Sequence, residues 1–328
     1  MPFNRSDYAA VKQEYEKKKK DAVTRSEERT KALCDKIPEL ASLCRQLAAT
    51  GPRIFEAAQG PESELEAKIA EIKKENGLLI KRQKQILEEN GYPEDWLDIK
   101  YECEICRDEG NIDGVMCVCM KKKLISAGYK TAGIDGLAAT HSFENFDLSY
   151  YRYDNDVYTK MKYAFDRIKG YAEGFRVGVS PSLLFLGGTG LGKTHLSVAA
   201  AKRVIELENY VIYGTAQNIF SDFEYERFGR SFSDRSESRT DKYFDCDLLV
   251  IDDLGTEIKT QAVTAFLYNL INTRLGSGKP MIISTNLTSP DAMIERYDER
   301  VASRLLGEFL PYKFIGKDVR MLKLRQSK

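Results

Sequence analysis

The sequence predicts an α/β protein with a mostly parallel sheet, preceded by a helical region and a small cysteine-rich element. Three observations predict it. From Ser182 onward, short apolar segments alternate with stretches of helical periodicity, the pattern of repeated strand–helix units. Within that region, Leu248-Leu249-Val250-Ile251 is apolar at consecutive positions, as in a strand covered on both faces of its sheet. Ahead of it a glycine-rich loop, 187–194, sits between an apolar strand and a helix.

The chain has 328 residues, enough for two or three domains. It carries 50 basic and 50 acidic residues, so overall charge gives no reason to expect nucleic acid, and any such contact must come from local patches. No apolar run approaches the roughly 18 residues that span a bilayer. The opening MPFNRSDYAAVKQEYEKKKK lacks the apolar stretch of a secretory signal. The expectation is a cytoplasmic protein with no membrane contact. Four of the seven cysteines lie between positions 103 and 119, a clustering that suggests metal rather than disulfides. Cys34, Cys44 and Cys246 lie apart and read as packing or surface thiols.

Residues 1–98 read as a helical domain. Its breaks are Pro38, Gly51-Pro52, Gly60-Pro61 and Gly91-Tyr92-Pro93. Leu65, Ile72, Leu79 and Ile86 recur every seven residues, with Ile69 adding to them, a seam suited to another helix. That seam fits an intramolecular hairpin or a partner-binding module, and the two are compatible. Gly77 weakens the helix by about 1 kcal/mol relative to alanine. Residues 99–123 form the cysteine-rich element, and 124–150 a connector ending near Phe143-Glu144-Asn145-Phe146. The α/β domain occupies 151–328, opening with a helix over 154–172. Its strands are expected at 182–186, 210–213, 248–251, 281–285 and 312–315. The polar, Ser/Arg-rich stretch 229–240 reads as a loop.

The loop Gly187-Gly188-Thr189-Gly190-Leu191-Gly192-Lys193-Thr194 matches G-x-x-x-x-G-K-[ST], the phosphate-binding P-loop. Its glycines let backbone N–H groups turn inward around phosphate oxygens, and the following helix presents its positive end. Lys193 reaches the β- and γ-phosphates, and the Thr194 hydroxyl ligates magnesium. His195 follows at the first helical turn; it is grouped with the loop as nucleotide-binding, with packing or capping as its simpler role. Leu248 to Asp253 then reads as a Walker B strand. Asp252 holds magnesium and Asp253 polarises the attacking water. Many ATPases place Glu at the second position, so Glu257, four residues on, is the rival base. The next strand ends in Ser284-Thr285-Asn286, where Asn286 can orient the water as sensor 1.

Arg300 and Arg304 lie four apart on one helix face. Arg304 is the candidate arginine finger, entering from a neighbouring subunit, with Arg300 in reserve. Arg320 is a candidate phosphate contact in cis, as sensor 2. Cys103-x2-Cys106-x10-Cys117-x-Cys119 supplies four thiolates, the ligand set of structural zinc. Gly110 and Gly114 flank a hairpin-like insert that would bring the two pairs together. Free thiols and an iron–sulfur cluster are the alternatives.

Together these residues resemble the bacterial DnaC/DnaI-type helicase loaders and the related IstB-like ATPases. The resemblance rests on Phe143-Glu144-Asn145-Phe146 leading to Tyr150-Tyr151, the block Leu184 to Leu196, Ile251 to Gly255, Ser284-Thr285-Asn286 and Glu299 to Arg304. It implies an AAA+ core with a five-stranded sheet in the order 5-1-4-3-2 and little or no C-terminal lid. It implies ATP and ADP as ligands with Mg2+, and Zn2+ in the cysteine element. It further implies self-association through the ATPase domain and delivery of a DnaB-type replicative helicase onto single-stranded DNA, with the N-terminal helices binding the helicase. A region corresponding to 217–230, with Phe220, Phe223, Tyr225, Phe228 and Arg230, would contact DNA, although the same stripe also suits core packing. A transposase helper of the IstB type and a nucleotide switch with little turnover are the competing readings.

Overall fold

The computed structural model describes residues 3–228 and 238–326, and for 62–64, 228 and 326 the backbone alone. The chain divides into two compact units, Lys12–Met120 and a second made of Met1–Val11 with Lys121–Lys328.

Four helices open the chain: α1 (Arg5–Lys36), α2 (Pro38–Ala48), α3 (Thr50–Ala58) and α4 (Glu62–Glu89). α1 begins in the second unit and continues through the first. Pro38 starts α2 at a position where its missing N–H costs nothing, and Gly91, at φ +76, follows the end of α4. Gly51-Pro52 does not separate two helices as expected, because both residues lie within the first turn of α3, where proline is tolerated. α4 packs against α2 and α3, with Ile72 and Ile86 of the heptad seam buried. Leu33, Leu40, Leu43, Ile86 and Leu87 form a common core, so this part of the seam is intramolecular. A two-stranded hairpin follows, β1 (Asn111–Ile112) and β2 (Val115–Met116), and then α5 (Val118–Ala132), which passes from one unit to the other.

The second unit holds α6 (Asn155–Glu173), β3 (Leu183–Leu186), α7 (Lys193–Glu206), β4 (Val211–Thr215), α8 (Ala216–Phe228), α9 (Asp241–Asp245), β5 (Leu248–Leu254), α10 (Gln261–Gly276), β6 (Met281–Thr285), α11 (Pro290–Arg296), α12 (Glu299–Glu308), β7 (Leu310–Lys313) and α13 (Val319–Gln326). Among the described residues the sheet has five parallel strands in the order β4-β5-β6-β3-β7. Numbered within the sheet and read from the other edge, this is the expected 5-1-4-3-2. Alternate strand residues enter different cores. Leu183, Phe185, Leu248, Val250 and Ile282 pack with residues of α6 and α7, whereas Leu184, Leu186, Leu249, Ile251, Met281 and Ile283 pack with residues of α8, α10 and α12. Coverage on both faces is why these strands read as unbroken apolar runs.

Two expectations shift. β7 starts two residues before the expected position, because it is an edge strand whose first two residues, Leu310 and Pro311, are exposed and whose buried position is Tyr312. In α8, Phe220 and Phe223 are core residues, with Phe223 stacked on Tyr243 and Phe266, so neither presents a face to unpaired bases. Tyr225 is exposed beneath the Arg239 guanidinium. The Phe228 side chain, Arg230 and most of the 229–240 stretch fall outside the described residues.

Candidate nucleotide-binding site and cysteine centre

The loop after β3 is shaped by glycines where the chain leaves no alternative. A Cβ on Gly187 would lie 2.4 Å from the Phe314 carbonyl oxygen. Gly190 and Gly192 take φ +71 and +87, and a Cβ on Gly192 would meet the Phe146 ring at 2.7 Å. α7 begins at Lys193 with no side-chain cap from Gly192, leaving its first amides directed at the loop. Lys193 is buried and its Nζ donates to the carbonyls of Gly187 and Gly188, each at 2.7 Å, and to Asn286 Oδ1 at 2.6 Å. Lys193 and Asn286, far apart in sequence, therefore meet at one point. Burial lowers the Lys193 pKa, against the pull of Asp253 and Asp252.

The two acids at the end of β5 are separated by backbone geometry. Opposite β6, Ile251 pairs with Ile283 and Leu254 with Thr285, a register shift that marks a bulge at the acidic pair. Asp253 adopts φ +54 and its side chain lines the cavity, whereas Asp252 is 2% exposed. Asp252 Oδ1 accepts from Ser284 Oγ at 2.5 Å, and Oδ2 accepts from the Tyr213 hydroxyl at 2.8 Å. Burial and then Asp252 raise the Asp253 pKa, opposed by Lys193 and Arg320.

The cavity holds about 300 Å³. It is lined by Thr189 to His195, Asp253, Thr256 and Asn286. It is lined also by Asn145, Phe146, Asp147, Tyr150 and Tyr151, and by Val319, Arg320 and Lys323 of α13. Tyr151 donates to the Leu191 carbonyl at 3.1 Å, and the Val319 amide to the Gly190 carbonyl at 3.0 Å, so both walls are fastened to the loop.

Residues 176–310 match the family model described as IstB-like ATP binding protein. This segment is an IstB-like ATP-binding domain. Among curated relatives, the chromosomal replication initiator protein DnaA of Campylobacter jejuni subsp. doylei is 35% identical over 147 residues, 44% of this chain. The aligned part spans 31% of that relative's length. Among solved structures, the DnaC helicase loader is similar at 20% identity, covering 54% of this chain and 98% of that one with a TM-score of 0.46. The structure of DnaI is similar at 17% identity, covering 55% and 91%, with a TM-score of 0.44.

Within and beside the IstB-like domain, the remaining candidates are placed differently from one another. Arg320 lines the cavity. His195 also lines it, but its Nε2 lies 2.8 Å from the Ser142 carbonyl and its ring packs edge-on to Phe146, with burial lowering its pKa. Glu257 does not line the cavity. It is buried, accepting from the Gly255 amide at 2.9 Å, Arg296 at 3.1 Å and the Tyr297 hydroxyl at 2.6 Å. Arg304 pairs with Glu308 at 3.1 Å and Arg300 with Asp298 at 2.9 Å; neither lines the cavity of its own chain. The sequence reading gave no role to the wall from Asn145 to Tyr151, although the aromatic phrase that builds it stood out.

The four clustered cysteines converge in the first unit, their Sγ atoms all within 4.8 Å of one another. Cys103 and Cys117 are 3.9 Å apart, and Cys106 and Cys119 3.4 Å. Tetrahedral zinc with Zn–S near 2.3 Å places sulfurs about 3.8 Å apart, so the donor set fits that ion. Asp113 (φ +50) and Gly114 (φ +82) make the tight turn that folds the second pair back toward the first. Asp108, buried, accepts from the Glu102 and Cys103 amides and fixes the first knuckle. The Gly110 amide donates to Cys106 Sγ at 3.3 Å. An amide of Cys106 brings the Cys103 thiol down to about 7. For magnesium, Thr194 lines the cavity and Asp252 does not; both offer oxygen donors of the kind a hard cation takes.

Proposed function

We propose that this chain is an AAA+ ATPase that converts ATP to ADP and phosphate. The observation that carries the reading is the convergence of Lys193, Asn286 and Asp253 on one cavity beside the P-loop. The amides of 187–194 and the Lys193 ammonium would hold the β- and γ-phosphates. Asp253 accepts a proton from the attacking water, which Asn286 orients, and Arg320 contacts the phosphates from α13. Thr194 and Asp252 would hold magnesium, which would supply charge neutralisation to the phosphates. Arg304 of a neighbouring copy completes the site in an assembled form. Among the lining residues, the apolar surfaces of Phe146, Tyr150 and Val319 suit the nucleoside end. The cysteine centre holds one structural zinc, since four thiolates leave no open position.

The work this turnover serves is loading a DnaB-type ring helicase onto single-stranded DNA in the cytoplasm, with the helical unit binding the helicase. The motif resemblance, the DnaA-like stretch and a helical and cysteine-rich unit ahead of the IstB-like domain support this reading. The family match itself favours a second one, a helper ATPase acting with a transposase. Assembly of a purified hexameric helicase on circular single-stranded DNA, with and without this protein and ATP, tests the first. Capture of a transposase in place of the helicase, with no effect on helicase assembly, would establish the second.

A further inference from the structure

Asp252 is gripped from both sides of its strand. β4 and β6 flank β5, and each contributes one hydroxyl. Tyr213 stands two residues before Thr215, the β4 position level with Asp252, and reaches diagonally to Oδ2 at 2.8 Å. Ser284 of β6, fully buried, donates to Oδ1 at 2.5 Å. The same Ser284 oxygen accepts the Asp253 amide at 2.9 Å. That bond ties down Asp253 itself, the residue that the bulge carries into the cavity. Neither hydroxyl residue lines the cavity.

We propose that Tyr213 and Ser284 are positioning residues: together they fix the Asp252 carboxylate for magnesium, and Ser284 alone also fixes Asp253 for the attacking water. This rests on the ATPase reading above. A carboxylate has about four lone-pair sites, and a hydroxyl on each oxygen fixes the plane of the group while leaving one site on each oxygen for a metal-bound water. Partners of this kind orient ligands, and losing one weakens metal affinity about 10–100-fold. Phenylalanine at 213 keeps the ring and removes only the donor. Threonine at 284 keeps the hydroxyl that alanine loses.

The test compares Tyr213→Phe, Ser284→Ala and Ser284→Thr in the full chain. Mn2+ binding to the protein with a non-hydrolysable ATP analogue is followed by electron paramagnetic resonance. Nucleotide affinity is measured separately without divalent metal, and turnover is measured across a Mg2+ titration. Tyr213→Phe and Ser284→Ala are expected to weaken Mn2+ binding about tenfold or more, with metal-free nucleotide affinity unchanged and Ser284→Thr close to wild type. At saturating Mg2+, Tyr213→Phe recovers the wild-type kcat. Ser284→Ala does not, because Asp253 has lost its anchor. Wild-type Mn2+ affinity in Tyr213→Phe overturns the proposal. A wild-type protein that binds nucleotide but never hydrolyses it sinks the ATPase reading instead, and the Mn2+ measurement still decides the role of Tyr213 and Ser284.

Discussion

Asp253 and Glu257 are both acids just beyond the same strand, and their surroundings give them different work. Asp253 lines the cavity with a raised pKa, and Glu257 is buried under Arg296 and Tyr297. A base must be unprotonated, so a raised pKa moves the acid limb of kcat to higher pH than an ordinary carboxylate gives. The rate should climb with pH through that limb and then level. Because Arg320 opposes the shift, Arg320→Ala should move the limb further up in pH, which a kcat–pH profile at saturating ATP and Mg2+ reads directly. Asp253→Asn should lower kcat by about 10²-fold or more while nucleotide still binds. Glu257→Ala should instead act on the fold. Removing one partner of a buried ion pair costs about 3–5 kcal/mol, visible as a lower midpoint in denaturant. A Glu257→Gln variant with normal stability and no turnover would return the base role to Glu257. The sequence could offer both acids, but it could not separate them, because the partners that occupy Glu257 lie on α11 and the residue after it, across a tertiary contact.

The strands were legible because a sheet covered on both faces demands apolar residues at successive positions, and the P-loop because its glycines answer to backbone geometry. The bulge at Asp252-Asp253 was not legible, since it appears only when β5 is set against β6. Nor was the second wall of the cavity: Phe146 and Tyr151 reach the loop from some forty residues upstream, and α13 reaches it from the other end of the domain. Gly190 records that second docking. A Cβ there would stand 2.0 Å from Asp318 Oδ1, the carboxylate that also accepts the Arg320 amide at the start of α13. Gly190→Ala should therefore displace α13 and strain a left-handed backbone, the latter alone costing about 1–3 kcal/mol. Gly188→Ala is the control, its added carbon meeting nothing closer than Leu191 at 3.8 Å. Titration with a fluorescent ATP analogue should show weakened binding for Gly190→Ala well beyond any change in Gly188→Ala. Equal affinities in the two variants would mean that α13 is not held through this contact.

Across the whole molecule, the sequence separated helical front, cysteine element, connector and α/β region by composition, whereas contacts group them into two units. The cysteine element shares a unit with the helices because α1 binds it at several points. Ser26 and Arg29 donate to the carbonyls of Leu97 and Asp98, Lys18 pairs with Glu102, Lys19 pairs with Glu109, and Tyr15 covers Gly110. None of those pairings has a local signature, so composition alone draws a boundary there that packing removes. In the other unit, the Phe3 amide bonds the Glu208 carbonyl and Thr131 bonds Asp7, which places the first residues with the sheet. The cysteine centre and the nucleotide cavity then draw every proposed ligand from different units. A Cys103→Ser, Cys106→Ser double variant should lose its zinc, measured by metal analysis of the purified protein, and lower the thermal stability of its own unit, because metal binding is part of that unit's folding free energy. Its affinity for a fluorescent ATP analogue should stay at the wild-type value. Lys193→Ala should behave in the opposite way, retaining one zinc per chain while losing nucleotide affinity. If removing the thiolates abolished nucleotide binding while the sheet-bearing unit stayed folded by hydrogen exchange, the two sites would have to be energetically coupled, and the separate assignment of ligands to units would fail.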